Sequence, residues 1–168
     1  MVALKRRPSP GLPERLAGGE ISRTTVQDRT MTPEQVKLVQ DSFAKVRPIA
    51  ATAADLFYGR LFEIAPEVRP MFPEDMRDQK KKLMAMLGLA VGNLDKPDTV
   101  VPALQTLGRQ HVAYGTQAAH YEPVGAALLW TLEQGLGDGF TPEVREAWVE
   151  TYGLVARVMK DAAAGERA

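Results

Sequence analysis

Leu107-Gly-Arg-Gln-His-Val-Ala-Tyr-Gly115 is the stretch on which the reading of this chain turns. His111 closes an apolar series made of Val100, Leu104, Leu107 and Gly108. Their steps of three and four place them on one helical face with the imidazole at its end. Gly108, one turn before the histidine, predicts room for something flat to lie against the helix, and Gly115 supplies a helix stop. Two readings fit such a histidine. It can be a core residue bonded to a backbone carbonyl. It can also be what a haem iron asks for: one protein nitrogen, an apolar wall and an open position opposite.

Working outward, composition narrows the choice. A length of 168 residues suits one domain with a sizeable core. Basic and acidic residues balance at 21 each, so no net field favours nucleic acid or an anionic membrane as a partner. The chain has no cysteine. That excludes disulfides, thiolate nucleophiles, thiolate-ligated haem and iron–sulfur clusters, and it fits a reducing, cytoplasmic location. No apolar run approaches the roughly 18 residues that would span a bilayer. His111 and His120 are the two histidines. They do not share a helix face, and they are too few for the usual zinc site of His and Cys ligands. A haem needs only one.

The chain divides near Met31. Residues 1–30 carry Pro8, Pro10, Pro13, Gly11, Gly18 and Gly19 among an excess of arginines. With no apolar stretch to form a secretory signal, this segment is expected to be a disordered extension, or to precede a true start at Met31. Residues 31–164 are expected to form one domain, followed by a short tail at 165–168. Thr32-Pro33-Glu34-Gln35 is a helix start with an N-cap threonine and a first-turn proline, and Val36, Val39, Phe43 and Val46 follow as a buried stripe. A second helix is predicted from about 49 to 64, with Tyr58 on its inner side. The proline-dense corner from Ala65 to Pro73 carries Phe72 inward. A third helix, from about 78 to 93, turns Gln79, Leu83, Met86, Leu87 and Ala90 inward. Helices from about 121 to 135 and from Thr141-Pro142 onward complete the series, the last placing Trp148, Tyr152, Val155 and Met159 on one face. No segment alternates with period two over a strand's length. The fold class is all-α, with six or seven helices joined by short corners.

Tyr58 and Gln79 are unusual inward residues, because each carries polar groups where an aliphatic residue would be the default. A buried polar group without a partner costs about 1–3 kcal/mol. Each has an ordinary account: a core tyrosine bonded to backbone, or a first-turn glutamine in solvent. A gas on ferrous haem is another partner, since O₂ there carries partial negative charge and both side chains can donate to it.

With these segments together, residues 31–160 resemble a single-domain bacterial haemoglobin, related to the haem domain of flavohaemoglobins. The likeness rests on Leu56-Phe-Tyr-Gly-Arg-Leu-Phe62, Ala65-Pro-Glu-Val-Arg-Pro-Met-Phe72, Leu107–Gly115, Ala119-His-Tyr-Glu-Pro-Val-Gly125 and Ala147-Trp-Val-Glu-Thr-Tyr-Gly153. The resemblance implies a globin fold around non-covalent haem b, with His111 as the proximal iron ligand and Tyr58 and Gln79 as distal residues that hold O₂. It also implies that Phe72 stacks on the haem and that Leu83 lies beside the gas. Tyr121 falls where the family has a tyrosine linking the proximal histidine to a glutamate. The place of that glutamate falls at Ala163, with Glu166 one turn further on in what is expected to be a frayed helix end. His120 matches a family histidine that does not bind iron, and it is read as structural.

The function implied is reversible O₂ binding for storage or delivery. The alternative is nitric oxide dioxygenation, in which Tyr58 and Gln79 would be catalytic and a separate reductase would supply electrons. No certain catalytic residue is assigned. The expected partners are O₂, NO and CO together with an electron donor. Neither nucleic acid nor membrane is expected, and the chain would be a monomer or a homodimer.

Overall fold

The computed structural model describes residues 31–113 and 115–167, so the expectation for residues 1–30 lies outside the described part. Six α-helices occupy the described residues: α1 (Pro33–Val46), α2 (Ala50–Ile64), α3 (Arg77–Gly92), α4 (Pro97–Ala113), α5 (Tyr121–Leu136) and α6 (Pro142–Arg167). Short 3₁₀ turns at Arg47–Ile49, Pro66–Met71, Ala118–His120 and Gly137–Gly139 make the corners. No strand occurs among the described residues, and the architecture is the all-α one expected.

The helices begin where chain chemistry favours a start. Thr141 accepts the Val144 backbone N–H on its Oγ1 at 3.2 Å, closing the first turn of α6 ahead of Pro142. After α4, Gly115 takes φ +86°, a left-handed conformation that a residue without Cβ adopts cheaply.

Packing follows the apolar stripes. α4 packs against α6, α2 against α5, and α1 against α6. Val39, Phe43 and Val46 of α1 are buried beside Trp148, whose ring is 6.3 Å from that of Phe43. The Trp148 indole N–H donates to Ser42 Oγ at 2.8 Å, which satisfies both groups in the interior.

Two expectations need correction. Gly108 does not leave space for a flat ligand. A Cβ there would lie 2.4 Å from the Met159 carbonyl oxygen and 2.7 Å from its Cα, so the glycine lets α4 and α6 meet backbone to backbone. The extent of α6 also differs from the expected boundary. The helix continues to Arg167, through most of the segment that the sequence pattern set apart as a tail.

Candidate functional site

A cavity of about 200 Å³ opens between α2, α3, α4, α5 and α6. Phe57 and Leu61 wall it from α2, with Leu83, Met86 and Leu87 from α3. Leu104, Leu107 and His111 face it from α4, Val124 and Leu128 from α5, and Trp148, Val155 and Met159 from α6. Met71 and Phe72 close it at the corner after α2. The residues expected inward on α3, α4, α5 and α6 therefore supply most of one apolar wall, whereas Tyr58 and Gln79, also expected inward, do not line it.

His111 is half-buried in this wall. Its Nδ1 lies 2.8 Å from the Leu107 carbonyl, one turn earlier. A carbonyl oxygen only accepts, so Nδ1 carries the proton and Nε2 is the nitrogen with a lone pair. Burial pushes the imidazole pKa below its ordinary value, with the bond to Leu107 opposing this more weakly. The neutral ring is favoured, which is the form that ligates a metal.

Tyr58 and Gln79 meet across α2 and α3. The Gln79 amide donates to Tyr58 Oη at 3.1 Å. Tyr58 is buried, and burial raises its hydroxyl pKa while the bond from Gln79 pulls the other way. The phenol stays protonated at neutral pH. Since its oxygen accepts from Gln79, its own hydrogen is directed at something else. The Tyr58 ring stands edge-on to Phe57 at 5.0 Å and to Phe72 at 5.5 Å. Phe57, Phe72 and Leu83 line the cavity, whereas Tyr58 and Gln79 are joined to it through those rings.

Across the cavity, Tyr121 is buried in the wall at the start of α5. Its carbonyl accepts the Tyr152 hydroxyl of α6, and Lys160 Nζ sits 5.8 Å from its ring centre. Ala163 is only 3 % exposed, so a buried methyl group stands where the resemblance would place a carboxylate. His120 also lines the cavity. Its Nδ1 accepts the Gln117 backbone N–H at 3.0 Å and caps the turn before α5.

Sequence pattern alone missed two features of the site. Arg69 donates to the carbonyls of Phe72 at 3.2 Å and Pro73 at 3.1 Å, and its guanidinium lies 5.1 Å from the Phe62 ring. It thus holds the corner that carries Phe72. Gly125 abuts the Tyr152 ring, where a Cβ would come within 2.7 Å. The signal for Arg69 was an arginine within a proline-rich corner, which also reads as a solvated charge. Nothing in helical spacing links Gly125 to Tyr152, which lies on another helix.

Comparison with known proteins places this geometry. The family model described as Globin matches residues 55–159. A flavohemoprotein of Xylella fastidiosa is 30% identical over 135 residues, covering 79% of this chain and 34% of the relative. One from Rhodopirellula baltica is 30% identical over 131 residues, covering 76% of this chain and 32% of the relative. The chain therefore spans about a third of the length of these curated relatives. Among solved structures, a bacterial globin from Campylobacter jejuni superposes with a TM-score of 0.71 at 25% identity, covering 80% of this chain and 97% of that one. A hexacoordinated heme protein from an anhydrobiotic tardigrade gives a TM-score of 0.74 at 17% identity, with 80% and 96% covered, a likeness of fold.

Proposed function

Because the chain belongs to the globin family, we propose that it holds one haem b through His111 and binds O₂ reversibly on the opposite side of the pocket. The observation that carries this reading is the locked tautomer of His111: Nδ1 is committed to Leu107, and the lone pair of Nε2 belongs to a ring in an apolar cavity wall. The cavity's lining suits a largely apolar group, and attachment would be non-covalent because no cysteine is available for a thioether bond. Phe72, Leu83 and Tyr121 would enclose the group beside His111. A haem supplies a redox-active iron that takes diatomic gases.

The chain's own contribution on the gas side is hydrogen bonding in series. Gln79 donates to Tyr58, which orients the hydroxyl, and Tyr58 donates onward to a gas with negative charge character. O₂ accepts such a bond well and CO poorly. The same donors suit nitric oxide dioxygenation with a separate reductase, a reading favoured by the flavohemoprotein relatives. The buried Ala163 favours the carrier, since no carboxylate is present at that position to raise the basicity of the proximal side.

Optical spectra of the ferric, ferrous and CO-treated ferrous protein test the proposal. The wild-type protein is expected to purify coloured or to take up hemin, and to shift its main absorption band on reduction and on CO addition. His111→Gly is expected to lose that spectrum and to regain it with added imidazole. An unchanged spectrum in His111→Gly without imidazole would overturn the assignment. Sustained NO consumption with a supplied reductase, at rates far above one turnover, would decide for the dioxygenase.

A further inference from the structure

We propose that Arg69 is a positioning residue of the gas side: it clamps the two rings against which Tyr58 is held, a role that rests on the O₂-binding reading above. Tyr58 and Phe62 lie one turn apart on α2, with ring centres 5.9 Å apart. Their third partner, Phe72, lies 5.5 Å from each of them. The helical repeat fixes Phe62 relative to Tyr58. Phe72 has no such support. It follows the 3₁₀ turn Pro66–Met71 in an extended conformation, at φ −117° and ψ 154°. Pro73, next along the chain, has no N–H with which to continue a backbone ladder.

Arg69 supplies what this corner lacks. Its Nη1 donates to the carbonyls of Phe72 at 3.2 Å and Pro73 at 3.1 Å, and its Nη2 reaches that of Glu74 at 3.5 Å. The same guanidinium stands over the Phe62 ring, 5.1 Å from its centre. One planar group thus bonds the backbone that carries one ring and covers the other. No ion pair among the described residues includes Arg69. Its charge is directed at carbonyls and a π-face together, which a forked guanidinium can serve at once and a compact ammonium cannot. Tyr58 sits edge-on to Phe72, so a shift of Phe72 moves the ring that carries the hydroxyl. A hydrogen bond weakens steeply once its donor is turned away. Arg69 therefore governs O₂ retention through the ring of Tyr58, without lining the cavity itself.

Two variants of the full-length protein test the clamp. Arg69→Ala removes it, and Arg69→Lys keeps the charge without the fork. Hydrogen exchange is followed first in the apoprotein. The Phe72 N–H, bonded to the Arg69 carbonyl at 3.1 Å, is expected to exchange at least about tenfold faster in both variants, while amides in the middle of α4 and α6 keep their wild-type rates. After loading with hemin and reduction, O₂ is expected to dissociate about threefold faster or more in both variants, with CO dissociation unchanged. Neither variant should add to the effect of Tyr58→Phe. Unchanged exchange at Phe72 or unchanged O₂ release in both variants would overturn the clamp. Equal acceleration of O₂ and CO, or a further acceleration on top of Tyr58→Phe, would also overturn it. Failure of the wild-type protein to take up hemin would instead overturn the haem reading, and this role with it.

Discussion

At the scale of the residue, the site depends on which atom donates. Tyr58 accepts from Gln79 and is held protonated by burial, so the two polar side chains act as one unit. Helical spacing had pointed to two separate donors. Tyr58→Phe is expected to speed O₂ dissociation at least about tenfold, the equivalent of one charge-assisted hydrogen bond, while CO dissociation changes little. A mutation that merely loosened the pocket would move both gases, so flash photolysis and stopped-flow mixing of the two ligands separate these cases. Gln79→Leu is expected to have a smaller effect, and to add almost nothing in the Tyr58→Phe background, because its action runs through Tyr58. Additive effects in the double variant would mean that Gln79 donates to the gas directly. His111, Tyr58 and Gln79 were legible in the sequence because each is a polar residue out of place on an inward face. The order of donation was not, since no spacing rule fixes which of two facing polar groups is the acceptor.

At the scale of the element, close contacts between helices shape the pocket. Gly108 lets α4 meet α6 at Met159, one turn before His111. Gly108→Ala is expected to cost about 1–3 kcal/mol, because the obstruction is backbone and cannot swing aside. Gly153, in the middle of α6, has nothing near its missing Cβ. Gly153→Ala should therefore stabilise the domain by up to about 1 kcal/mol through helix propensity. Urea titration of both variants checks the opposite signs. Tyr152 ties α6 to α5 by donating to the Tyr121 carbonyl, and burial foremost, then neighbouring Tyr121, raises its pKa above the ordinary tyrosine value. The unfolded chain ionises this hydroxyl near pH 10 while the folded chain keeps it protonated. Its contribution is thus complete below that pH and is lost as pH rises above it toward the folded-state value. Tyr152→Phe is expected to be less stable at pH 8 and to show a shallower loss of stability between pH 10 and 11. An equally steep loss would show that other groups govern the alkaline transition.

At the scale of the whole molecule, the order of elements was legible because each helix carries its own stripe and each corner its own prolines or glycines. Where the sequence reading failed, the cause was contact between distant segments. Gly108 faces the backbone of another helix; Arg69 is the local exception, since it reaches carbonyls only three and four residues on, where charge pattern alone reads a solvated arginine. The same logic bears on what the domain requires. Pro33–Ala168 forms one unit by its internal contacts, and its buried side chains, from Val36 to Ala163, meet one another within it. We propose that this unit folds and takes up haem without residues 1–30, whose prolines and glycines offer little apolar surface to offset the entropy of ordering. A chain begun at Met31 is expected to melt within about 3 °C of the full-length protein, since one lost kcal/mol moves the midpoint of a domain this size by about that much. Its hemin stoichiometry and CO spectrum should be unchanged. A larger fall in melting temperature in both apo and loaded forms would mean that the first thirty residues pack on the globin. A fall confined to the loaded form would mean that they help to cover the pocket.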